Sequence, residues 1–270
     1  MKRLALLLPI ASLAVASCIG TTGGDVVDFP VAAAGPVDAT AGQPFELDTD
    51  RGWHVVLTKA NLHIGAVYLG SSQPVSGAQN ASCILPGTYV AQVTTGRDVD
   101  LLSPVPQRFP SLGHGTTLNA LVGQVWLTGG PIDQTADATP ILVIEGTAAR
   151  AGDVRPFSGQ VTISANRQQQ GGANAGANTI CKQRIVTPIA TPGVTIQHDG
   201  GLLLRIDPRL LFVNVDFGAL VRFSSGFGFS DDPSQIDPAS PLYYSQPSAN
   251  LYQNLHAAGG LYKFAWRPEL

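Results

Sequence analysis

Five histidines, His54, His63, His114, His198 and His256, are the residues of this 270-residue chain best suited to ligating a metal. A neutral imidazole takes Zn²⁺ or Cu²⁺. Neither His-x-His nor His-Glu-x-x-His occurs, so a site must be assembled from separate segments. His54 and His63 lie in WHVVLTKANLHIG. A hairpin turn near Lys59–Asn61 sets them diagonally on one sheet face, within reach of long side chains. The other reading is one long strand passing between two sheets. His114, in GHG, and His198, before DGG, are expected in flexible, exposed contexts. His54, His63, His114 and His198 are thus the candidate zinc or copper ligands. Without a metal, the strand histidines are half-exposed surface and the loop histidines are solvated.

The acids offer a second candidate. Asp231, Asp232 and Asp237 share the irregular segment SDDPSQID. Calcium takes six to eight oxygens in adaptable geometry, and such a loop supplies several. EF-hand spacing is absent, however, and Asp before Pro is also ordinary turn chemistry. Asp98 and Asp100, in RDVDLL, read as strand-end or turn residues. Catalytic signals are poorer. The chain has no Gly-x-Ser-x-Gly and no phosphate-binding GxxxxGK[ST]. Its only glutamates are Glu46, Glu145 and Glu269, so paired-carboxylate glycosidase chemistry would rest on aspartates. Hydrolysis of envelope polymers is therefore the weakest functional reading. Phe223, Phe227, Phe229, Tyr243, Tyr244 and Tyr252 cluster near the C-terminus. Exposed, they form a ligand patch; buried, they close one end of a core.

These side chains need a scaffold, and the sequence reads as β-structure. FELDTD alternates apolar with polar; Trp53, Val55 and Leu57 share one face, and Leu62, Ile64, Ala66 and Tyr68 form another run of period two. Such alternation marks half-buried strands. Further strands are expected over Thr88–Thr95, Leu118–Thr128, Ile141–Ala149, Gln160–Ala165, Ile180–Pro188, Val194–Gln197, Leu202–Ile206 and Tyr262–Trp266. With 30 Gly and 20 Pro the chain is rich in turns. The expected fold is all-β, a mostly antiparallel sandwich or barrel-like domain. One or two short helices are expected near the C-terminus. Asp207-Pro208 opens one, as cap and first residue. Ser248 opens the other, with Leu251 and Leu255 on one face and Gly259 as a stop. Residues 168–178, QQQGGANAGAN, read as a low-complexity loop.

The N-terminus, MKRLALLLPIASLAVASC, locates the chain. Lys2 and Arg3 precede the apolar run Leu4–Val15, which is shorter than the roughly 20 residues a membrane span needs. Small residues follow, the pattern of a secretory signal. Val15-Ala16-Ser17-Cys18 resembles the lipobox of bacterial lipoproteins. That resemblance implies cleavage before Cys18 and acylation of its thiol and new amine, giving firm multi-chain anchoring. Ile19, where an Asp favours inner-membrane retention, implies the outer membrane. With Cys18 lipidated, Cys83 and Cys181 remain. An oxidising compartment favours a bridge between them, contributing roughly 4–5 kcal/mol for so long a loop. A two-cysteine metal site lacks the usual paired ligand spacing.

Residues 1–17 are thus a signal peptide, 18–43 the lipidated cysteine and a flexible tether that admits a short strand over Val26–Ala33, and 44–270 one β-rich domain. Without Lys2 and Arg3 the net charge of −3 becomes about −5, which argues against a nucleic-acid surface. The expected function is a non-enzymatic binding or structural lipoprotein of the cell envelope. Its expected partners are the bilayer, through Cys18, and an envelope protein or glycan. A periplasmic zinc or copper binder is the alternative.

Overall fold

The computed structural model describes residues 23–72, 87–128, 137–163, 183–223, 226–229 and 246–270. In chain order the strands are β1 (Val26–Phe29), β2 (Val31–Ala34), β3 (Phe45–Asp48), β4 (His54–Ile64), β5 (Ala66–Gly70) and β6 (Tyr89–Val93). Next come β7 (Arg97–Asp100), β8 (Gln107–Arg108), β9 (Gly113–Thr116), β10 (Val122–Trp126), β11 (Asp137–Arg150) and β12 (Asp153–Ile163). The last are β13 (Ile185–Ala190), β14 (Gly201–Ile206), β15 (Val221–Phe223), β16 (Gly226–Phe229) and β17 (Tyr262–Arg267). Among the described residues one α-helix, α1, spans Gln246–Leu255, and a 3₁₀ turn covers Pro208–Phe212. The fold is therefore the expected β-dominated, largely antiparallel, sandwich-like one, with its helix near the C-terminus.

Three sheets share the core. One has six antiparallel strands in the order β1-β9-β6-β5-β10-β13. The second runs β15-β16-β12-β11-β4-β3, with β7 also on β4. The third, of four strands, runs β17-β14-β2-β8. Val67, Leu69, Ala91 and Val93 of the six-stranded sheet face Val31 and Leu202 of the four-stranded one. Gly123 of β10 is what permits this approach: a Cβ there would lie 2.2 Å from the Phe264 ring of β17.

The crossing from β4 to β5 explains the two out-of-phase apolar runs in the sequence. Pairing with β11 shifts register between Leu57 and Lys59, a bulge that carries the core positions from Val55 and Leu57 to Ala60, Leu62 and Ile64. There is no hairpin turn at Lys59–Asn61; the long-strand reading holds. At Gly65 the chain changes sheets, and its N–H donates to the Trp126 carbonyl at 2.8 Å. Beyond that corner Val67 and Leu69 take the core, and Tyr68 turns outward. The expected continuous face Leu62–Ile64–Ala66–Tyr68 is broken there.

Other expectations shift in detail. The strand allowed over Val26–Ala33 is two strands, β1 and β2, with Phe29 and Ala32–Ala34 fully buried. The fold thus begins well before Phe45. The strand read over Gln160–Ala165 begins at Asp153. Val194–Gln197 makes only a single bridge, Asn119 to Thr195. Asp207 caps the Pro208–Phe212 turn as expected, its side chain accepting from the Arg209 N–H. The helix starts at Gln246, two residues before Ser248, which is buried. The Cys83–Cys181 disulfide is corrected: among the described residues no cysteine pair stands at bonding distance, where a bridge needs Cα atoms within about 7 Å. Cys18, Cys83 and Cys181 all lie outside the described residues, as does the 168–178 loop.

Candidate binding face

The histidines do not converge. His54 and His63 stand at opposite ends of β4, about 30 Å apart at the rise of a strand, because the turn that would fold them together is absent. Each instead meets an aspartate directly across an antiparallel pair. His54 Nδ1 lies 2.9 Å from Asp48 Oδ1, and His63 Nδ1 lies 2.6 Å from Asp98 Oδ1. His114, expected in a flexible loop, is a strand residue of β9, with Nδ1 2.8 Å from Asp28 Oδ1. His198 Nε2 sits 3.2 Å from Asp25. His256 lies between the carbonyls of Tyr252 and Gln183, each 2.8 Å from a ring nitrogen. Among the described residues no group of three or more His, Cys, Asp or Glu is placed to hold a metal ion. The converging-histidine site for zinc or copper is therefore corrected. Asp231, Asp232 and Asp237 lie outside the described residues.

Of the C-terminal aromatics, Phe229 and Tyr252 belong to the core and Phe227 packs against it. Phe229 and Tyr252 are buried. Phe229 joins Phe157, Phe212 and Phe217 in an edge-on and tilted cluster with centroids 5.1–6.4 Å apart. Phe227 is half-buried under the Arg155 guanidinium, 4.8 Å away. Tyr243 and Tyr244 lie outside the described residues.

A different aromatic group faces outward, on the six-stranded sheet. Tyr68 packs tilted against Trp126 at 4.8 Å and against Tyr89 at 5.3 Å. Strand alternation puts these rings on the side away from the core, where a half-exposed strand position usually carries a polar residue. Beneath them Gln124 is only 2% exposed. Its Oε1 accepts from the Trp126 indole N–H at 3.2 Å, and its amide nitrogen reaches the Tyr89 hydroxyl at 3.4 Å. A buried amide joined at both ends fixes ring orientation in advance. Burial, and then the neighbouring Tyr89, push the Tyr68 hydroxyl above the usual tyrosine range. It therefore stays protonated as a donor.

Register extends this platform into a row. Gln124 opposes Tyr68, Tyr68 opposes Gln92, Gln92 opposes His114, and His114 opposes Asp28. Four strands thus present phenol, amide, imidazole and carboxylate in line, over about 14 Å at normal strand spacing, with buried Gln124 on a fifth strand supporting the rings. Tyr89 and Trp126 flank it. The face is ordered and amphipathic, with π-faces for apolar C–H surfaces and donors and acceptors alongside. Sequence reading passed over it because the phase change at Gly65 decides which residues of β5 point out.

Elsewhere, Trp53 is completely buried. Arg150 lies 4.3 Å over its ring, and Asp216 accepts its indole N–H at 3.2 Å. That assembly pins the chain at Asp216 against β4 and is structural.

No known protein family matches the chain, and no curated protein does. Among solved structures, MbnP from Methylosinus trichosporium aligns with 90% of this chain and 98% of its own, at 13% identity and a TM-score of 0.43. A likeness that low carries no argument about this protein. The fold and the outward row define the molecule only as a β-sandwich-like protein with an ordered amphipathic sheet face.

Proposed function

We propose that this chain is a non-enzymatic binding module of the bacterial envelope, anchored to the outer membrane through acylated Cys18, and that its ligand is a saccharide chain laid along the outer face of the six-stranded sheet. The observation that carries this reading is the row Tyr68–Gln92–His114–Asp28 with Tyr89 and Trp126 beside it. A sugar ring has an apolar C–H face and a hydroxylated edge. Rigid aromatic rings take the first and amides and carboxylates the second. Repetition of polar groups across four strands suits several sugar units rather than one. Chemistry of the row supports a glycan over a protein partner, since an interface core concentrates apolar anchors and excludes charge.

Calorimetric titration with oligosaccharides prepared from envelope glycans tests this reading. The protein used is the chain from Ile19 onward, which contains every described element. Trp126→Ala is expected to weaken binding at least tenfold, about 1.4 kcal/mol, with Tyr68→Ala similar. Absence of saccharide binding, or binding indifferent to both substitutions, overturns the assignment.

A further inference from the structure

The four-stranded sheet turns its own outer face away from the core, and that face gathers several of the cations that meet no acid among the described residues. Elsewhere several basic residues meet acids, Lys59 with Glu145, Arg150 with Asp216, Arg155 with Asp153, and Arg209 with Asp38 and Asp207, while Arg51 and Arg97 bond neutral oxygens of Asn214 and Arg108. On this face Arg205, Lys263 and Arg267 have no ion-pair partner among the described residues. Arg205 and Lys263 are directly opposed across β14 and β17, an arrangement of like charges that costs stability. Arg205 is fixed by the Gly35 and Pro104 carbonyls, each 2.8 Å from one guanidinium nitrogen. Arg108, at the β8 edge, donates to the main-chain oxygen of Leu270. Burial, and then the positive charge of Arg267, lower the Arg205 guanidinium from its ordinary value. Lys263, Arg267 and Arg108 are exposed. Between them Ala32, Ala34 and Leu203 form a small buried apolar strip with Leu270 packed on it.

The strands of this face carry no acid; Glu269 follows β17, and Asp38 and Asp207 are taken up by Arg209 at one edge. In a chain whose net charge is −3, three unpaired cations on the neighbouring strands β14 and β17, with Arg108 at the far edge of the sheet, are a local reversal of sign.

We infer that the outer face of the β17-β14-β2-β8 sheet docks on the anionic headgroups of a lipid bilayer. Charge complementarity points there, and separate cations on neighbouring strands suit a field of phosphates better than one pocketed ion. Position agrees. The inner sides of the four- and six-stranded sheets face each other, so docking the basic face leaves the Tyr68–Trp126 row directed away from the bilayer. Seven residues lie between Cys18 and Val26, a reach of at most about 28 Å over the eight Cα steps, so an acylated Cys18 would hold the domain beside the membrane. The docking inference stands without the saccharide reading and without the acyl anchor, because the face is defined by residues of the folded domain alone.

The test is flotation of the chain from Ile19 onward with phosphatidylglycerol-containing vesicles and with pure phosphatidylcholine vesicles. Binding to the anionic vesicles is expected to exceed that to the neutral ones by tenfold or more at low salt, and to be lost near about 0.5 M salt through screening. Each cation removed is expected to weaken it about fivefold, so Lys263→Ala with Arg267→Ala gives about a 25-fold loss. Lys59→Ala, on another sheet, leaves it unchanged, and so does Trp126→Ala, which separates this surface from the saccharide row. Both exposed-residue variants are checked for an unaltered Tm. Equal binding to the two vesicle types, or full binding by the folded Lys263→Ala/Arg267→Ala variant, overturns the inference.

Discussion

Gly123→Ala puts a methyl group where β10 meets β17. Its Cβ would lie 2.2, 2.7 and 3.0 Å from Cε2, Cδ2 and Cζ of Phe264, a ring only 6% exposed. The clash is with the flank of a packed ring between two sheets, so relief requires the ring or a strand to move. Overpacking of this kind costs about 1–3 kcal/mol; the shortness of the contact places the value near 2–3. For a domain of this size that lowers Tm by about 4–12 °C. Phe264→Ala alone removes the ring and costs about 3–5 kcal/mol through lost burial and the cavity left behind. In the double variant the new methyl group enters that cavity and the clash is gone. The double loss should fall short of the sum by at least about 1 kcal/mol, well beyond the scatter seen for independent sites. Urea midpoints for the four proteins, read at constant m-value, give the coupling. A neutral Gly123→Ala, or strict additivity, refutes the packing of the six-stranded on the four-stranded sheet.

Other perturbations test separate parts of the account. Trp53→Phe removes the indole bond to Asp216 and leaves a smaller ring under Arg150, and should lower unfolding free energy by about 2 kcal/mol, measured by denaturant titration. Tyr262 is buried, which pushes its hydroxyl far above the usual tyrosine range, and it donates to the Leu255 carbonyl at 2.9 Å. The folded state therefore keeps a proton that the unfolded chain loses near pH 10, so stability falls as pH rises through about 10. In Tyr262→Phe that alkaline fall becomes shallower, at a cost of about 1 kcal/mol at neutral pH; urea midpoints between neutral and alkaline pH show both effects. Asp207→Ala loses the cap on Pro208–Phe212 and one arm of the Arg209 clamp, and should cost about 1 kcal/mol. Elemental analysis of the dialysed domain should find zinc and copper below stoichiometry, since each strand histidine faces its own aspartate.

Alternation and turn residues made the fold class readable, and Asp207-Pro208 announced its 3₁₀ turn by cap chemistry alone. Sheet membership was less accessible. The bulge at Thr58–Lys59 and the corner at Gly65 each shift phase by one residue, and a one-residue shift exchanges the two faces of a strand. The first shift read equally well as a hairpin, which brought His54 towards His63. The second turned Tyr68 outward when its spacing from Leu62 and Ile64 placed it inward. Trp126 and Tyr89 come from strands far from Tyr68 in sequence, so their meeting depends on non-local pairing. The C-terminal phenylalanines drew attention through density along the chain, although density is also what a core requires. The cross-strand aspartates of His54, His63 and His114 likewise lie in the pairing register, which no local spacing encodes.

The saccharide row is tested most directly through its own indole. The chain has three tryptophans, and in an ¹⁵N-labelled sample each gives one indole N–H resonance. Trp53 is buried beside Asp216, and the Trp266 N–H donates to the Asp199 carbonyl at 2.9 Å, while Trp126 flanks the outer row. Titration with an envelope oligosaccharide should move the Trp126 resonance saturably, together with the amides of Gln92 and His114, and leave Trp53 and Trp266 in place. A ligand that binds while the Trp126 resonance stays fixed would contradict the account.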